Sequence, residues 1–252
     1  MSASELIDAA SVLILRDSAE GPQVLLTRRA AGMKNFADAW VFPGGHEDAA
    51  DAQPLPDPDV DATANSAADL SWRRSNRAAV RETLEETGLQ LSHELLIRWA
   101  HWLPPPLMMK RFNTRFFIGP APLEAKLNAD AREVLESVWL SPADAAQRAR
   151  AGEMLCAPPT QMNLYELEQC ALECTAVAAV LANARQRQFI TISARLERDG
   201  EAFWSVFPWD ARYGSLDPGG ALDSIPARYH HLPSRLPAPK FMRSGAIANI
   251  QK

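Results

Sequence analysis

The chain has 252 residues, 47% of them hydrophobic, and carries a formal net charge of -5 with an isoelectric point near 5.6. This length and composition predict a soluble globular protein with one good core and at most a small second unit. The negative charge excludes an overall basic field for a nucleic-acid polymer. Without an apolar run long enough for a bilayer or a secretion signal at residues 1–5, we expect a cytoplasmic protein with no membrane partner.

Strand and helix patterns alternate along the first two thirds of the chain. Strands are predicted at 10–16, 23–29, 95–102, 114–118 and 134–140. The first two are separated by turn residues and form an opening hairpin. Ser141 followed by Pro142 predicts a helix start, because serine caps a helix and proline fits its first turn. Mixed strands with helices on both sides predict an α/β sandwich.

The most informative stretch is a predicted helix that ends at Gly88. On a 3.6-residue period, Glu82, Glu85 and Glu86 share one face. The opposite side, which we expect to be buried, carries Val80, Leu84 and Thr87. Carboxylates near the negative end of a helix destabilise it unless a cation compensates them. A divalent ion such as Mg²⁺ takes oxygen ligands, so the pattern favours a metal site. The alternative is a solvated acidic face with an ordinary ion pair between residues 81 and 85.

The segment from Arg81 to Leu89 resembles the second half of the Nudix box, G-x5-E-x7-R-E-U-x-E-E-x-G-U, where U is aliphatic. Residues 42–45, Phe-Pro-Gly-Gly, resemble the strand and loop that open this box. The resemblance gives structural roles to Gly88 and to Asp51, which stands where the family has Glu. Thr83 replaces an aliphatic residue, and Arg81 follows Asp51 by thirty positions instead of eight, so a loop has been inserted. This loop, about 52–69, is either a lid or substrate-selecting flap, or a solvated insertion.

The Nudix resemblance implies a fold and an active site. The fold is an α/β/α sandwich with a mixed sheet. The helix glutamates of the family bind Mg²⁺ or Mn²⁺, and one glutamate serves as the base. If the residues of this chain have the roles of their family counterparts, Glu82, Glu85 and Glu86 are metal ligands and catalytic residues. Arg81 would orient them through an ion pair with Glu85 or Asp51.

Residues outside the helix complete the implied site. The Gly44–Gly45 loop lets the backbone approach the ligand closely, and we expect Gly45 to reach the metal through its backbone. Phe42 and Gly44 are expected to contact the substrate. Two strand-end arginines, Arg29 and Arg115, are expected to clamp phosphate, although exposed arginines of this kind are often merely solvated.

A narrower resemblance covers residues 10–181. Residues 25–29, 40–45 and 111–117 look like the Nudix branch that includes the peroxisomal coenzyme A diphosphatase. This branch implies hydrolysis of coenzyme A or its acyl esters, but its fuller signature has a glycine where Asp38 stands. ADP-ribose, dinucleotides and oxidised nucleotides are alternative substrates. A nucleotide-sensing module without catalysis and an interaction protein are alternatives of other classes. Residues 249–252 do not form a peroxisomal address.

The sequence predicts a Nudix domain over 1–155 and a C-terminal part, 156–252, packed on it. Helices are predicted at 161–170 and 171–187, followed by a hairpin with strands at 190–197 and 202–207. From residue 210 onward the chain is rich in Pro and Gly, with little secondary-structure signal. The aromatic cluster at 203–209 is interpreted as a cover on the core or a contact in a homodimer, with a base-stacking wall as the alternative.

Overall fold

A computed structural model describes residues 6–32, 36–53, 66–105, 111–128, 132–188, 190–200, 202–216 and 225–238. Most of the predicted insertion at 52–69 lies outside these residues, as does the tail beyond residue 238. Both interpretations of the insertion therefore stay open. Among the described residues, no helix is long and apolar enough to cross a membrane.

The centre of the molecule is an eight-stranded mixed sheet. Its strands are β1 (Leu6–Ser18), β2 (Gly21–Arg29), β3 (Trp40–Val41), β4 (Gly44–His46), β5 (Ile97–Leu103), β6 (Arg111–Pro120), β7 (Val134–Leu140) and β8 (Thr191–Ser193). The order is β3-β2-β1-β6-β5-β8, with β4 paired to β1 and β7 paired to β2. The β1–β6 and β5–β8 pairs are parallel, and the other pairs are antiparallel. The predicted hairpin and the mixed sheet are confirmed.

Helices cover both faces of this sheet. They are α1 (Ala67–Thr87), α2 (Pro142–Ala151), α3 (Pro158–Glu173) and α4 (Val177–Gln186); a short helix, α5 (Tyr213–Leu216), lies farther along the C-terminal part. The small residues of α1 pack on one face, against Val12, Ile14 and Phe117. Helices α2 to α4 pack on the other face. The predicted α/β/α arrangement is confirmed, and so is the start of α2, where Ser141 accepts a hydrogen bond from the Asp144 backbone N–H.

The C-terminal part differs from its prediction in three places. The predicted hairpin is confirmed, but its first strand, predicted at 190–197, begins at Arg195, because the chain leaves the main sheet at Ala194. Before it, β8 extends the main sheet beside β5 and buries Ile192; after it, β9 (Arg195–Asp199) pairs with β10 (Ala202–Val206). A third strand, β11 (Arg235–Pro237), pairs with β10 and was missed. The second of the two helices predicted here, α4, begins at Val177 rather than at 171. The Val177 backbone N–H donates a hydrogen bond to the Asp17 carboxylate.

The main hydrophobic core runs through the predicted boundary at 155/156. Leu13, Trp40 and Phe116 from the sheet belong to the same buried cluster as Leu164 of α3 and Val180 of α4. The aromatic residues of the predicted cover take part as well. Phe207 is fully buried and stacks on Trp209, with ring centroids 5.2 Å apart.

Candidate active site

The glutamates of α1 lie at three different depths. The exposed side-chain fraction is 4% for Glu86, 16% for Glu82 and 58% for Glu85. Of the residues expected on the buried side, Val80 and Thr87 are buried as predicted, but Leu84 is 41% exposed, so the prediction is wrong for Leu84. The side of α1 that meets the sheet carries small residues and Thr83, which let the helix approach closely. This rotation brings Glu86 inside and leaves Leu84 outside.

Glu86 is held at the start of β4. Its Oε2 accepts a hydrogen bond from the Gly44 backbone N–H at 3.0 Å, and Arg29 Nη1 lies 3.6 Å from its Oε1. Burial raises the pKa of Glu86 to about 7, which the Gly44 N–H and Arg29 offset only in part. A carboxyl group in this state exchanges protons near neutral pH and favours a nearby cation.

The Gly44–Gly45 pair leaves room for these carboxylates. A Cβ atom on Gly45 would lie 2.3 Å from Glu82 Oε2, so the missing side chain makes the space that Glu82 occupies. Gly44 has a φ of 148°, and a Cβ atom there would lie 2.1 Å from the Ala10 carbonyl oxygen. Both positions therefore require glycine, one for the site and one for the backbone.

Arg81 ties the acidic residues together. Its Nε and Nη2 donate to the two carboxylate oxygens of Asp51 at 3.2 and 2.9 Å. Its Nη1 donates to Glu82 at 2.8 Å and to Glu85 at 3.2 Å, and Nη2 also donates to the His46 carbonyl. Burial alone would raise the pKa of Asp51, but the hydrogen bonds from Arg81 and a backbone N–H lower it below its usual value. Arg81 thus contacts both of the partners that the sequence offered it, across the inserted loop.

The acidic residues fit a divalent cation by their chemistry. Among the described residues, no three Asp, Glu, His or Cys side chains are gathered as a ready metal cluster. Arg81 instead supplies the positive charge among them. However, burial raises the pKa of Glu82 as well as that of Glu86, and the two carboxylates repel each other. Carboxylate oxygens are the ligands that Mg²⁺ and Mn²⁺ take, and a cation would relieve this repulsion.

A cleft of about 180 Å³ opens beside the glycine loop. One wall is formed by Arg29, Phe42 and residues 44–46, and the floor includes Trp102 and Phe116. The C-terminal part contributes the start of α3 at 157–160 and two further residues, Ala194 and Ser205. The lining is mostly apolar, so the few polar groups in it determine which ligands it can hold.

Three of those polar groups lack a partner in the described part of the protein. They are the buried Nε of Arg29, Nε1 of Trp102 and Oγ of Ser205. A buried polar group left without a hydrogen bond costs about 1–3 kcal/mol. Sequence reasoning selected Arg29 but missed Trp102 and Ser205, because nothing in the sequence places residues so far apart in one cleft.

Arg115 does not reach this cleft. Its neighbours Thr114 and Phe116 on β6 line the cleft, so Arg115 points to the opposite face of the sheet. There it is buried, with Nη1 3.3 Å from Ser75 Oγ and 3.7 Å from Glu47 Oε1. Of the two arginines predicted to clamp phosphate, the structure brings only Arg29 to the glutamates.

No family model matches the chain. An m7GpppN-mRNA hydrolase of Danio rerio is 32% identical over 143 residues, which are 51% of this chain and 40% of that protein. A protein named nudix hydrolase 7 of Caenorhabditis elegans is 25% identical over 182 residues, 58% of this chain and 56% of that protein. The chain therefore spans about half the length of the curated relatives it matches.

A crystal structure of a NUDIX hydrolase from Alicyclobacillus acidocaldarius has the same fold. It aligns with a TM-score of 0.59 at 22% identity and covers 72% of this chain and 97% of that one. In this chain the box residues meet around Arg81, although thirty positions separate Asp51 from Arg81. The chain is thus similar in fold to a NUDIX hydrolase, and over about half of its length it is similar in sequence to the two curated relatives.

Proposed function

We propose that the protein hydrolyses a diphosphate linkage in a nucleoside diphosphate derivative, with Mg²⁺ or Mn²⁺ as its cofactor. The observation that carries this proposal is the position of two carboxylates of raised pKa, Glu82 and Glu86, against the Gly44–Gly45 backbone. This backbone and Arg29 form a wall of the cleft. Negative charge that favours a cation thus adjoins a cleft wall that carries an arginine, an arrangement suited to a metal-complexed diphosphate.

In this proposal Glu82, Glu85, Glu86 and the Gly45 backbone hold the ion. The chemistry that such an ion supplies when bound is neutralisation of phosphate charge and activation of a water molecule. Arg81 keeps Glu82 and Glu85 oriented through its hydrogen bonds and is itself anchored on Asp51. A glutamate that takes the proton of the attacking water needs a pKa near the working pH. Burial moves the pKa values of Glu82 and Glu86 in that direction.

The apolar part of the cleft holds the group on the other side of the diphosphate. Phe42 and Phe116 pack edge to face, with ring centroids 6.3 Å apart, and Trp102 adds an indole N–H without a partner in the described protein. The resemblance in residues 25–29 and 111–117 favours coenzyme A or acyl-coenzyme A. A second candidate is the capped end of an RNA, favoured by the name of the Danio rerio relative. ADP-ribose, dinucleotides and oxidised nucleotides complete the set of substrates to test.

Mass spectrometry of the products tests the reaction and the substrate together. The panel contains coenzyme A, acetyl-coenzyme A, a dinucleoside cap analogue, ADP-ribose, NADH and nucleoside triphosphates, each with Mg²⁺ or Mn²⁺. We expect cleavage at one phosphoanhydride in one substrate class, and its loss in Glu86→Gln and in EDTA. If the folded wild-type protein cleaves nothing but is stabilised by one of these nucleotides, the protein is a nucleotide-sensing module instead.

A further inference from the structure

A second cavity, of about 170 Å³, is lined by residues of α1, of the segment 93–96 and of the adjacent strands β5 and β6. Its polar lining consists of Arg73, Asn76, Arg77, His93 and Arg98, beside the ring of Trp72. This cavity is separate from the diphosphate cleft. Phe117 lines it, whereas the adjacent Phe116 lines the cleft, and neighbouring residues of a strand point to opposite faces of a sheet.

The charge of this cavity is positive. None of the described residues that line it is acidic. Arg98 is paired with Asp69, whose carboxylate lies 2.9 Å from Nη2 of the arginine, and Arg77 Nε donates to the Asp51 carbonyl oxygen. Burial lowers the pKa of His93, and the charge of Arg77 lowers it further, by more than Glu94 raises it. Arg73, Arg77 and Arg98 thus bring three positive charges to the lining of this cavity, and such a cluster attracts an anion.

The Arg98 guanidinium and the Asn76–His93 pair are each held in place by neighbouring side chains. The Arg98 guanidinium stands over the Trp72 ring at 5.3 Å from its centroid. The Asn76 amide donates to the His93 carbonyl at 3.1 Å, and its oxygen lies 2.8 Å from His93 Nδ1. Because an amide oxygen only accepts, Nδ1 carries the ring proton in this arrangement. Arginine forks fixed in this way match the geometry of phosphate oxygens.

We propose that this cavity binds a small phosphate-bearing anion of about the size of pyrophosphate, at a site distinct from the diphosphate cleft. Its volume holds several water molecules, enough for two linked phosphate groups but not for a polymer. The proposal does not depend on hydrolysis in the cleft.

Calorimetry with sodium pyrophosphate in the absence of divalent cations tests this site. All variants carry Arg29→Gln, which removes the arginine of the cleft. The test variant adds Arg73→Gln and Arg98→Gln. The matched control adds Arg16→Gln instead, since Arg16 also stands over a tryptophan, 4.4 Å from the Trp139 ring centroid.

We expect the Arg29→Gln and control proteins to bind pyrophosphate equally, and the test variant to bind at least tenfold more weakly. If the test variant fails to fold by circular dichroism, Arg73→Gln alone replaces it and is expected to weaken binding severalfold. Affinity in the folded test or single variant within twofold of the control overturns the proposal, as does a lack of binding to Arg29→Gln. A short RNA that binds through Arg73 and Arg98 while pyrophosphate does not bind also overturns it.

Discussion

The two halves of α1 collect opposite charges on one continuous helix. In the second half, Glu82 and Glu85 pair with Arg81, Glu86 lies beside Arg29, and the pKa values of the two more buried glutamates, Glu82 and Glu86, are raised. In the first half, Arg73 and Arg77 line a cavity in which burial, and then the charge of Arg77, lowers the pKa of His93. The first region favours an added cation and the second an added anion. Burial makes this difference, because charges on a solvated helix face would be screened.

Asp51 connects the two regions. Its carboxylate is held by Arg81, one turn before the last glutamates, and its carbonyl oxygen accepts a hydrogen bond from Arg77 Nε at 2.6 Å. The short 3₁₀ helix around it, Ala50–Ala52, is thereby fixed against the middle of α1. The residue that ends the first half of the box is thus also the residue that separates the acidic from the basic region.

The largest effect is expected from neutralising the acidic region. Glu86→Gln and Glu82→Gln should each lower turnover by about 10²–10⁴-fold, since each removes a buried negative charge that the proposed site needs for a cation or a proton. Glu85→Gln should cost less, because Glu85 is largely exposed and already paired with Arg81. Steady-state kinetics on the substrate identified by mass spectrometry measures the three values. Equal turnover of Glu86→Gln and wild type would remove the buried carboxylate from the mechanism.

The two glycines of the loop should differ in the effect of an alanine substitution, because Gly45 makes room for the site and Gly44 makes room for the backbone. Gly45→Ala should keep the melting temperature within a few degrees but lower activity, because the new Cβ meets only the flexible end of Glu82 and displaces its carboxylate. Gly44→Ala should destabilise the protein by more than about 3 kcal/mol, because its Cβ meets the backbone of Ala10 and Ser11. Thermal unfolding and kinetics on both proteins check this. The contrast fails if the two alanine variants lose stability equally.

Replacing Arg81 by lysine tests the geometry of this side chain rather than its charge. Arg81→Lys keeps the positive charge but loses the fork that holds Asp51 by two hydrogen bonds while reaching two glutamates. We expect activity to fall about 10–100-fold, as for a residue that positions ligands, with the Mg²⁺ requirement raised. A metal titration of the activity measures both. Full activity in the lysine variant would show that charge alone suffices.

Local signals in the sequence predicted some of the element ends well. Ser141 and Gly88 cap their helices as expected, and β7 has the predicted bounds. These features depend on a few adjacent residues, whose hydrogen bonding and backbone preferences are intrinsic. The pairing of Asp51 with Arg81 was also open to prediction, because the motif places both residues whatever the length of the insertion.

The orientation of elements was predicted less well. Helical periodicity shows which residues share a face of a helix but not which face packs on the sheet. For this reason Leu84 was placed inside and Glu86 outside. Arg115 was expected in the cleft, but the pairing of β6 with β1 turns it to the other face. The contribution of Ser205 depends on the path of the C-terminal chain back to the cleft. Such outcomes are decided by contacts between distant residues, which one sequence does not reveal.

A smaller effect is expected for Asp51, which lies between the two regions, and it should appear in the pH dependence of the free energy of unfolding. The pKa of Asp51 is lowered in the folded protein, so its ionised form stabilises the fold above the unfolded pKa of 3.8, and this stabilisation is lost as the pH falls through the folded value. Asp51→Asn should therefore cost about 1–3 kcal/mol at pH 7 and progressively less below pH 3.8. Urea unfolding from pH 7 to pH 2.5 measures it. The control, Asp38→Asn, breaks only the exposed pair with Arg28; a pH-independent loss in Asp51→Asn would contradict the assignment.

The smallest effect is expected at the far end of α1. Ser66 caps this helix by accepting a hydrogen bond from the Asp69 backbone N–H at 3.1 Å, and Ser141 caps α2 with the same geometry toward Asp144. Each serine-to-alanine change should cost about 1 kcal/mol in the free energy of unfolding. Glu86 follows Ser66 by twenty residues, about 30 Å along the helix axis, so Ser66→Ala should leave the activity unchanged. Urea unfolding and kinetics on both variants provide the comparison. If Ser66→Ala lowers activity while Ser141→Ala does not, the two charged regions of α1 depend on each other along the helix.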